Sequence, residues 1–162
     1  MVGDRVINAI PTYVKLETSL MSYAFPAEKR ELGNYLLDAL GAEEEEFIAT
    51  YDLGAFSMRV QSLNRTLIDK VFAVCDYYLQ NKAHRNARHL YDIYKLAEHV
   101  EMNNDFLELV KEVRAHRIAM GSEIAPAASL DVNILELVQK ICNEDFYKED
   151  YRETTLKLIS DS

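Results

Sequence analysis

The stretch R-T-L-I-D-K-V-F-A-V-C-D-Y-Y-L-Q-N-K-A-H-R-N-A-R-H-L-Y-D-I-Y-K-L, Arg65 to Leu96, decides the fold. It reads as two helices joined by a short turn. In its first half Leu67, Val71, Val74, Cys75 and Tyr78 recur at steps of three and four, the spacing of one buried helical face. Asn64 or Thr66 is the expected cap. Projected at about 100° per residue, Lys70 falls at the rim of that stripe beside Val74 and Tyr77. In the second half Leu90, Ile93, Tyr94, Leu96, Ala97 and Val100 take one side, and Arg88, Asp92, Lys95 and His99 gather into a polar arc. If the helices fold back on each other across Asn81 to Asn86, Lys70 and Asp92 can meet at the lip of one groove.

Working outward, Asp105 to Met120 reads as a third helix ended by Gly121, with Phe106, Leu109, Val110, Val113 and Ile118 apolar. Ser122 to Ser129, with Pro126 and three alanines, reads as a surface loop. A helix over Val132 to Asn143 follows Asp131 as the expected N-cap. A last one closes the chain, from Lys148 or Asp150 to Ile159. Towards the start, Phe56, Met58 and Val60 alternate with Ser57, Arg59 and Gln61, which predicts a strand. Pro26 followed by Leu32, Leu36, Leu37 and Leu40 predicts a helix over Ala27 to Ala39. Pro11 to Tyr23 predicts another strand, and the first ten residues an irregular lead-in. Strand, helix, strand allows a right-handed crossover between parallel strands. Two strands alone make a poor sheet, so they lean on the helices or belong to a larger one. The fold class is α+β, mostly helical. The expected division is a partial α/β segment at 1–63 and a helical bundle at 64–162.

The 162 residues are 49% hydrophobic and 28% charged, the balance of a folded globular protein. No apolar run reaches the roughly 18 residues of a membrane span, and no secretory leader is visible. A cytoplasmic protein without membrane contact is expected. Twenty-seven acidic against 18 basic residues give a net charge of −9, which disfavours nucleic acid as a partner across the whole surface. The run Glu43 to Glu46 reads as a solvated loop, because adjacent carboxylates on a short run cannot converge on one ion. Cys75 and Cys142, both on apolar faces and without C-x-x-C spacing, are expected as buried free thiols. His84, His89, His99 and His116 form no H-x-x-x-H pair, so no metal site is expected from this chain alone. On spacing alone the polar arc is also explained by an exposed face laced with ion pairs, each worth about 0.2–0.5 kcal/mol.

The strings R-T-L-I-D-K-V-F-A-V (Arg65 to Val74) and A-R-H-L-Y-D-I-Y-K-L (Ala87 to Leu96) resemble the C-terminal half of the AbiEii/AbiGii nucleotidyltransferase-toxin family. That family shows an E-R-T-F-x-E-K-like segment, followed by R-H-Y-Y-D-L-Y-x-L or R-D-x-Y-D-L-x-x-L. Asp150 and Tyr151 fit its closing D-Y segment, and the resemblance runs from about Pro11 onward.

It implies a polymerase-β-like nucleotidyltransferase, which moves a nucleotide from a nucleoside triphosphate to an acceptor with a divalent metal. Such proteins are often the toxin of a bacterial toxin–antitoxin (abortive infection) pair. Lys70 matches the family's catalytic lysine and Asp92 its late aspartate; Arg88 and Lys95 are the expected substrate-binding residues beside them. A rim lysine can neutralise triphosphate charge, and an aspartate can orient a group or act as base.

The family's metal-binding motif, Gly-Ser followed by an Asp-x-Asp or Asp-x-Glu strand, has no counterpart in this sequence, where Asp4 stands alone. The expectation is therefore a truncated or degenerate C-terminal portion, inactive alone. It would bind no cofactor by itself, and would use Mg²⁺ and a nucleoside triphosphate once a complementary chain supplied the other half. An antitoxin or that complementary chain is the expected partner. The alternative is a non-catalytic helical interaction module, a homodimer among its forms, whose exposed sheet edge or apolar surface binds a partner chain.

Overall fold

The computed structural model describes residues 25–33, 39 and 45–159. The predicted lead-in and the predicted strand over Pro11 to Tyr23 lie outside these residues. Within them the chain is mostly helical with a small sheet near its start, as the sequence reading expects. The order is β1 (Ala27–Leu32), α1 (Glu45–Thr50), β2 (Phe56–Gln61), α2 (Leu63–Leu79), α3 (Arg88–Ala97), α4 (Asn104–Ala119), a 3₁₀ turn Pro126–Ala128, and α5 (Ile134–Asn143). A final helix, α6, runs as Lys148–Asp150, a π-helical turn Tyr151–Thr155, and Leu156–Ile159.

The centre of the bundle is α2. Ser62 caps it, its hydroxyl accepting from the Arg65 N–H at 3.2 Å. Neither Asn64 nor Thr66 does so, because the helix starts earlier than the hydrophobic pattern. Leu67, Ile68, Phe72, Val74 and Cys75 of α2 are buried together with Phe106 and Val113 of α4, Leu137 and Ile141 of α5, and Tyr147. Each such large apolar side chain contributes about 1.5–3 kcal/mol by leaving water. Asn103 caps α4 through the Phe106 N–H at 3.0 Å, and Gly121, at φ 91°, ends it in the left-handed region open to glycine. Asn133, rather than Asp131, caps α5, accepting from Leu135 N–H at 3.1 Å and Glu136 N–H at 3.4 Å.

Three segments depart from the sequence reading. Ala27 to Leu32 is a strand, not the start of a helix, and it pairs antiparallel with β2 (Ala27 opposite Gln61, Leu32 opposite Phe56). The crossover expected between the strand over Pro11 to Tyr23 and β2 falls partly outside the described residues. At β1 local helical spacing loses to pairing and anchoring: Ser62 N–H donates to Pro26 O at 3.0 Å, and the Arg65 guanidinium donates to Phe25 O at 2.7 Å. Part of the glutamate run is helical rather than loop, since α1 begins at Glu45. The Pro126 region is no surface loop either. Ala125, Ala127 and Ala128 are buried, because Asp76 on α2 accepts from the Ala127 N–H at 2.8 Å and Arg114 donates to Ala128 O at 3.0 Å. Cys75 is buried as expected, but Cys142 is exposed, since it follows Ile141 on α5 and turns away from the face that carries Leu137 and Ile141. No helix among the described residues is long and apolar enough to cross a membrane.

Candidate functional site

Between α2 and α3 the backbone reverses through Asn81 (φ 55°) and Arg85 (φ 64°), both left-handed. Non-glycine residues are uncommon there and need local support. At Arg85 the support is Asp150. This buried carboxylate of α6 accepts from the Arg85 N–H at 2.8 Å and from the Ala87 N–H at 3.1 Å. It thereby stands in for the side-chain cap that α3 lacks. Nearby, the Tyr147 hydroxyl donates to Val74 O at 2.7 Å, tying α2 to the segment that leads into α6. With the turn held from behind, α3 lies back along α2.

That packing brings Lys70 and Asp92 together. Lys70 Nζ lies 2.7 Å from Asp92 Oδ2, with 28% and 38% of the two side chains exposed. A third residue joins them. His89 Nδ1 is 3.2 Å from Lys70 Nζ and 3.7 Å from Asp92 Oδ2, and its ring stacks over Tyr77 at 5.9 Å and 7°. An ammonium only donates, so His89 Nδ1 accepts and the ring proton sits on Nε2. Burial holds the His89 pKa below its ordinary 6.5, and the Lys70 and Arg88 cations push it the same way against Asp92. At neutral pH the imidazole is therefore neutral and free to accept. Lys70 is thus fixed between a carboxylate and a ring nitrogen, at a surface a ligand can reach. A charge-bearing ammonium so placed can be handed to a phosphate, leaving Asp92 to accept a proton or orient an attacking group.

The other two sequence candidates are not in this contact. Arg88 lines a separate cleft with Arg85, Thr155 and Lys157. Lys95 Nζ stands 5.7 Å from the ring centre of Tyr91 and 5.6 Å from that of Tyr94. The sequence reading places neither His89 nor Asp150 in the site, although Asp150 is named in the closing D-Y segment of the resemblance. For His89 the signal was present, since it precedes Asp92 by three residues and so shares its helix face. For Asp150, far along the chain from the turn it holds, local spacing carried none.

A second charged cluster sits deeper on α2. Arg117 reaches Asp76 through Nη2 and Asp69 through Nη1 at 3.6 Å, while Asp69 also accepts from Arg65 Nε at 2.9 Å and Gln61 Nε2 at 2.8 Å. Burial pushes the Asp76 carboxyl up, against the lowering effect of the Ala127 N–H and Arg117. Beside it, burial and the charge of Asp76 push the Cys75 thiol up to about 12, so it is no nucleophile. An apolar cavity of about 680 Å³ between α2, α3 and α4, lined by Leu67, Phe72, Ile93, Phe106 and Val110 among others, leaves Lys70 and Asp92 outside its wall.

Among the described residues no group of three or more His, Cys, Asp and Glu side chains is placed to hold a divalent cation. At the Lys70 site the single carboxylate, Asp92, is already engaged by an ammonium, whereas Mg²⁺ binds through oxygen ligands in octahedral geometry. These residues do not fit a metal on their own.

Compared with known proteins, residues 3–161 match a family model described as "Nucleotidyl transferase AbiEii toxin, Type IV TA system". No curated protein and no solved structure matches the chain.

Proposed function

We infer function from the premise that this chain belongs to the AbiEii nucleotidyl transferase toxin family of type IV toxin–antitoxin systems. The reading we propose is nucleotidyl transfer from a nucleoside triphosphate, in the cytoplasm where that donor is made, with an antitoxin as its counterpart. Lys70 contacts the phosphates and Asp92 orients or deprotonates the attacking group. The helical part, 64–162, acts as the unit that carries this wall of the site, and 1–63 as the remnant of the α/β part. Because the described donors do not fit a metal, the carboxylates for one come from a complementary chain or segment, and this chain alone is poorly active. The single observation that carries the reading is the 2.7 Å Lys70–Asp92 pair, partly exposed and formed by the two residues that the resemblance assigns as the family's lysine and aspartate.

The test is to incubate the purified chain with labelled nucleoside triphosphates, Mg²⁺ and total RNA or protein, alone and with a protein supplying the paired carboxylates. Nucleotide binding that depends on Lys70, with transfer only in the supplemented reaction, is the expected result. Binding and transfer unaffected by Lys70→Ala would overturn the assignment. Strong Lys70-dependent transfer by the chain alone would keep the function and overturn the division of the site.

A further inference from the structure

At the far end of α3 from its C-terminus, Arg85 and Arg88 face α6 across a cleft of about 430 Å³, whose other walls are Glu153, Thr154, Thr155, Lys157 and Leu158. Arg85, Arg88 and Lys157 are exposed cations, and none of the three enters an ion pair among the described residues. On a chain of net charge −9, three unpaired cations lining one cleft against a single carboxylate run counter to the general balance.

The cleft is also built from behind. Asp150, itself only 9% exposed, holds the Arg85 backbone in its left-handed conformation and fixes the amide of Ala87 next to Arg88. Asp150 O in turn accepts from Thr154 Oγ1 at 2.6 Å, and the 4%-exposed Thr155 lines the wall beside it. One buried residue thus fixes both sides of the cleft, the arginine loop and the threonines of α6. A backbone conformation that costs energy, maintained by a buried carboxylate in order to present a cation, is the pattern of a ligand site rather than of a solvated surface.

We propose that this cleft binds a phosphate group. Two guanidinium groups, each able to fork around a tetrahedral oxyanion, and one compact ammonium match such an anion, and Glu153 sets a limit on affinity. The bound group is either the phosphate of a nucleotide or a backbone phosphate of RNA. Arg88 precedes Asp92 by one helical turn, about 6 Å along the axis. The cleft is therefore a neighbour of the Lys70 site but distinct from it, and its binding does not require that Lys70 take part in transfer.

Amide chemical-shift perturbation of the full chain, titrated with pyrophosphate at low ionic strength, tests this residue by residue. Saturable shifts at Arg85, Arg88, Thr155 and Lys157, retained in Lys70→Ala, are expected. The double variant Arg88→Gln, Lys157→Gln should weaken binding about tenfold or more, and Glu153→Gln should tighten it, since each changes the local charge. Shifts confined to Lys70, His89 and Asp92, no saturable shift, or an affinity indifferent to all three cleft substitutions would overturn the proposal. A nucleoside triphosphate and a short single-stranded oligoribonucleotide, run in parallel, identify the source of the phosphate by which binds tighter at these amides; failure of both counts against the site as surely as failure of pyrophosphate.

Discussion

Two ion-pair clusters stand on α2, less than two turns apart, and they differ in what surrounds them. At the Asp76–Arg117 pair the charges are sealed, while Asp69 at the edge of that cluster is 28% exposed. The Asp76 side chain is 5% exposed and that of Arg117 is 16% exposed, and the Asp76 carboxylate also accepts from the Ala127 N–H. Around Lys70 the charges are held but open, with 28% and 38% exposure, and the third partner is a neutral imidazole rather than a backbone group. A sealed pair is fixed by the fold and cannot be given to a ligand; an open one contributes little to stability and can exchange its partner. Cation–carboxylate pairs anchored on one helix therefore take different roles, and solvent access separates them.

The largest effect is expected at the sealed cluster. Asp76→Ala leaves Arg117 without its main counter-ion and frees the Ala127 N–H, so chemical denaturation should show a loss of about 3–5 kcal/mol. A loss below about 1 kcal/mol would mean that the two clusters are alike. Next comes Asp150→Ala, which removes the acceptor of two amides in the turn. A loss of about 2 kcal/mol is expected, with faster hydrogen exchange at Arg85 and Ala87 while the amides of α4 keep their protection.

A smaller effect belongs to His89. Its pKa in the folded protein lies below 6.5, so its contribution to stability is full above that value and lost as the pH falls through the depressed folded pKa. Over the same window the imidazolium stops accepting from Lys70, adds a positive charge and competes with it for Asp92, so nucleotide binding should rise on acidification. His89→Asn keeps an acceptor at the Nδ1 position without titrating. It should flatten that limb of the pH profile, and an unchanged limb would remove His89 from the site. The smallest effect is expected on β1, where Glu28→Ala deletes an exposed pair with Arg30 and should change stability by about 0–0.5 kcal/mol in a denaturant titration.

How far the sequence could be read follows the same division between sealed and open. The pair α2–α3 was legible because Leu67, Val74 and Cys75 mark a buried stripe and the turn lies between two such patterns. The meeting of Lys70 and Asp92 followed from folding one stripe onto the other. In β1 no residue is fully buried, so A-E-K-R-E-L carries no alternation of period two and its charged residues imitate a helix start. Its strand state comes from pairing with β2, where Lys29 even faces Arg59. The buried alanines near Pro126 were illegible for a different reason. Alanine gives no strong hydrophobic signal, and what draws that turn inward is a carboxylate of α2 and a guanidinium of α4. Of the site itself, Lys70 and Asp92 were named from the family pattern, while Arg85 and Lys157 required the three-dimensional approach of α6 to the turn.

The most direct test of the division between the clusters is a double-mutant cycle on Lys70→Ala and Asp92→Ala, followed by both denaturant stability and binding of a labelled nucleoside triphosphate. An open functional pair gives a stability coupling of no more than about 1 kcal/mol together with a drop in nucleotide binding of about tenfold or more in each single variant. A coupling of about 3 kcal/mol or more with nucleotide binding unchanged would show Lys70 and Asp92 to be a second structural clamp and would contradict the account.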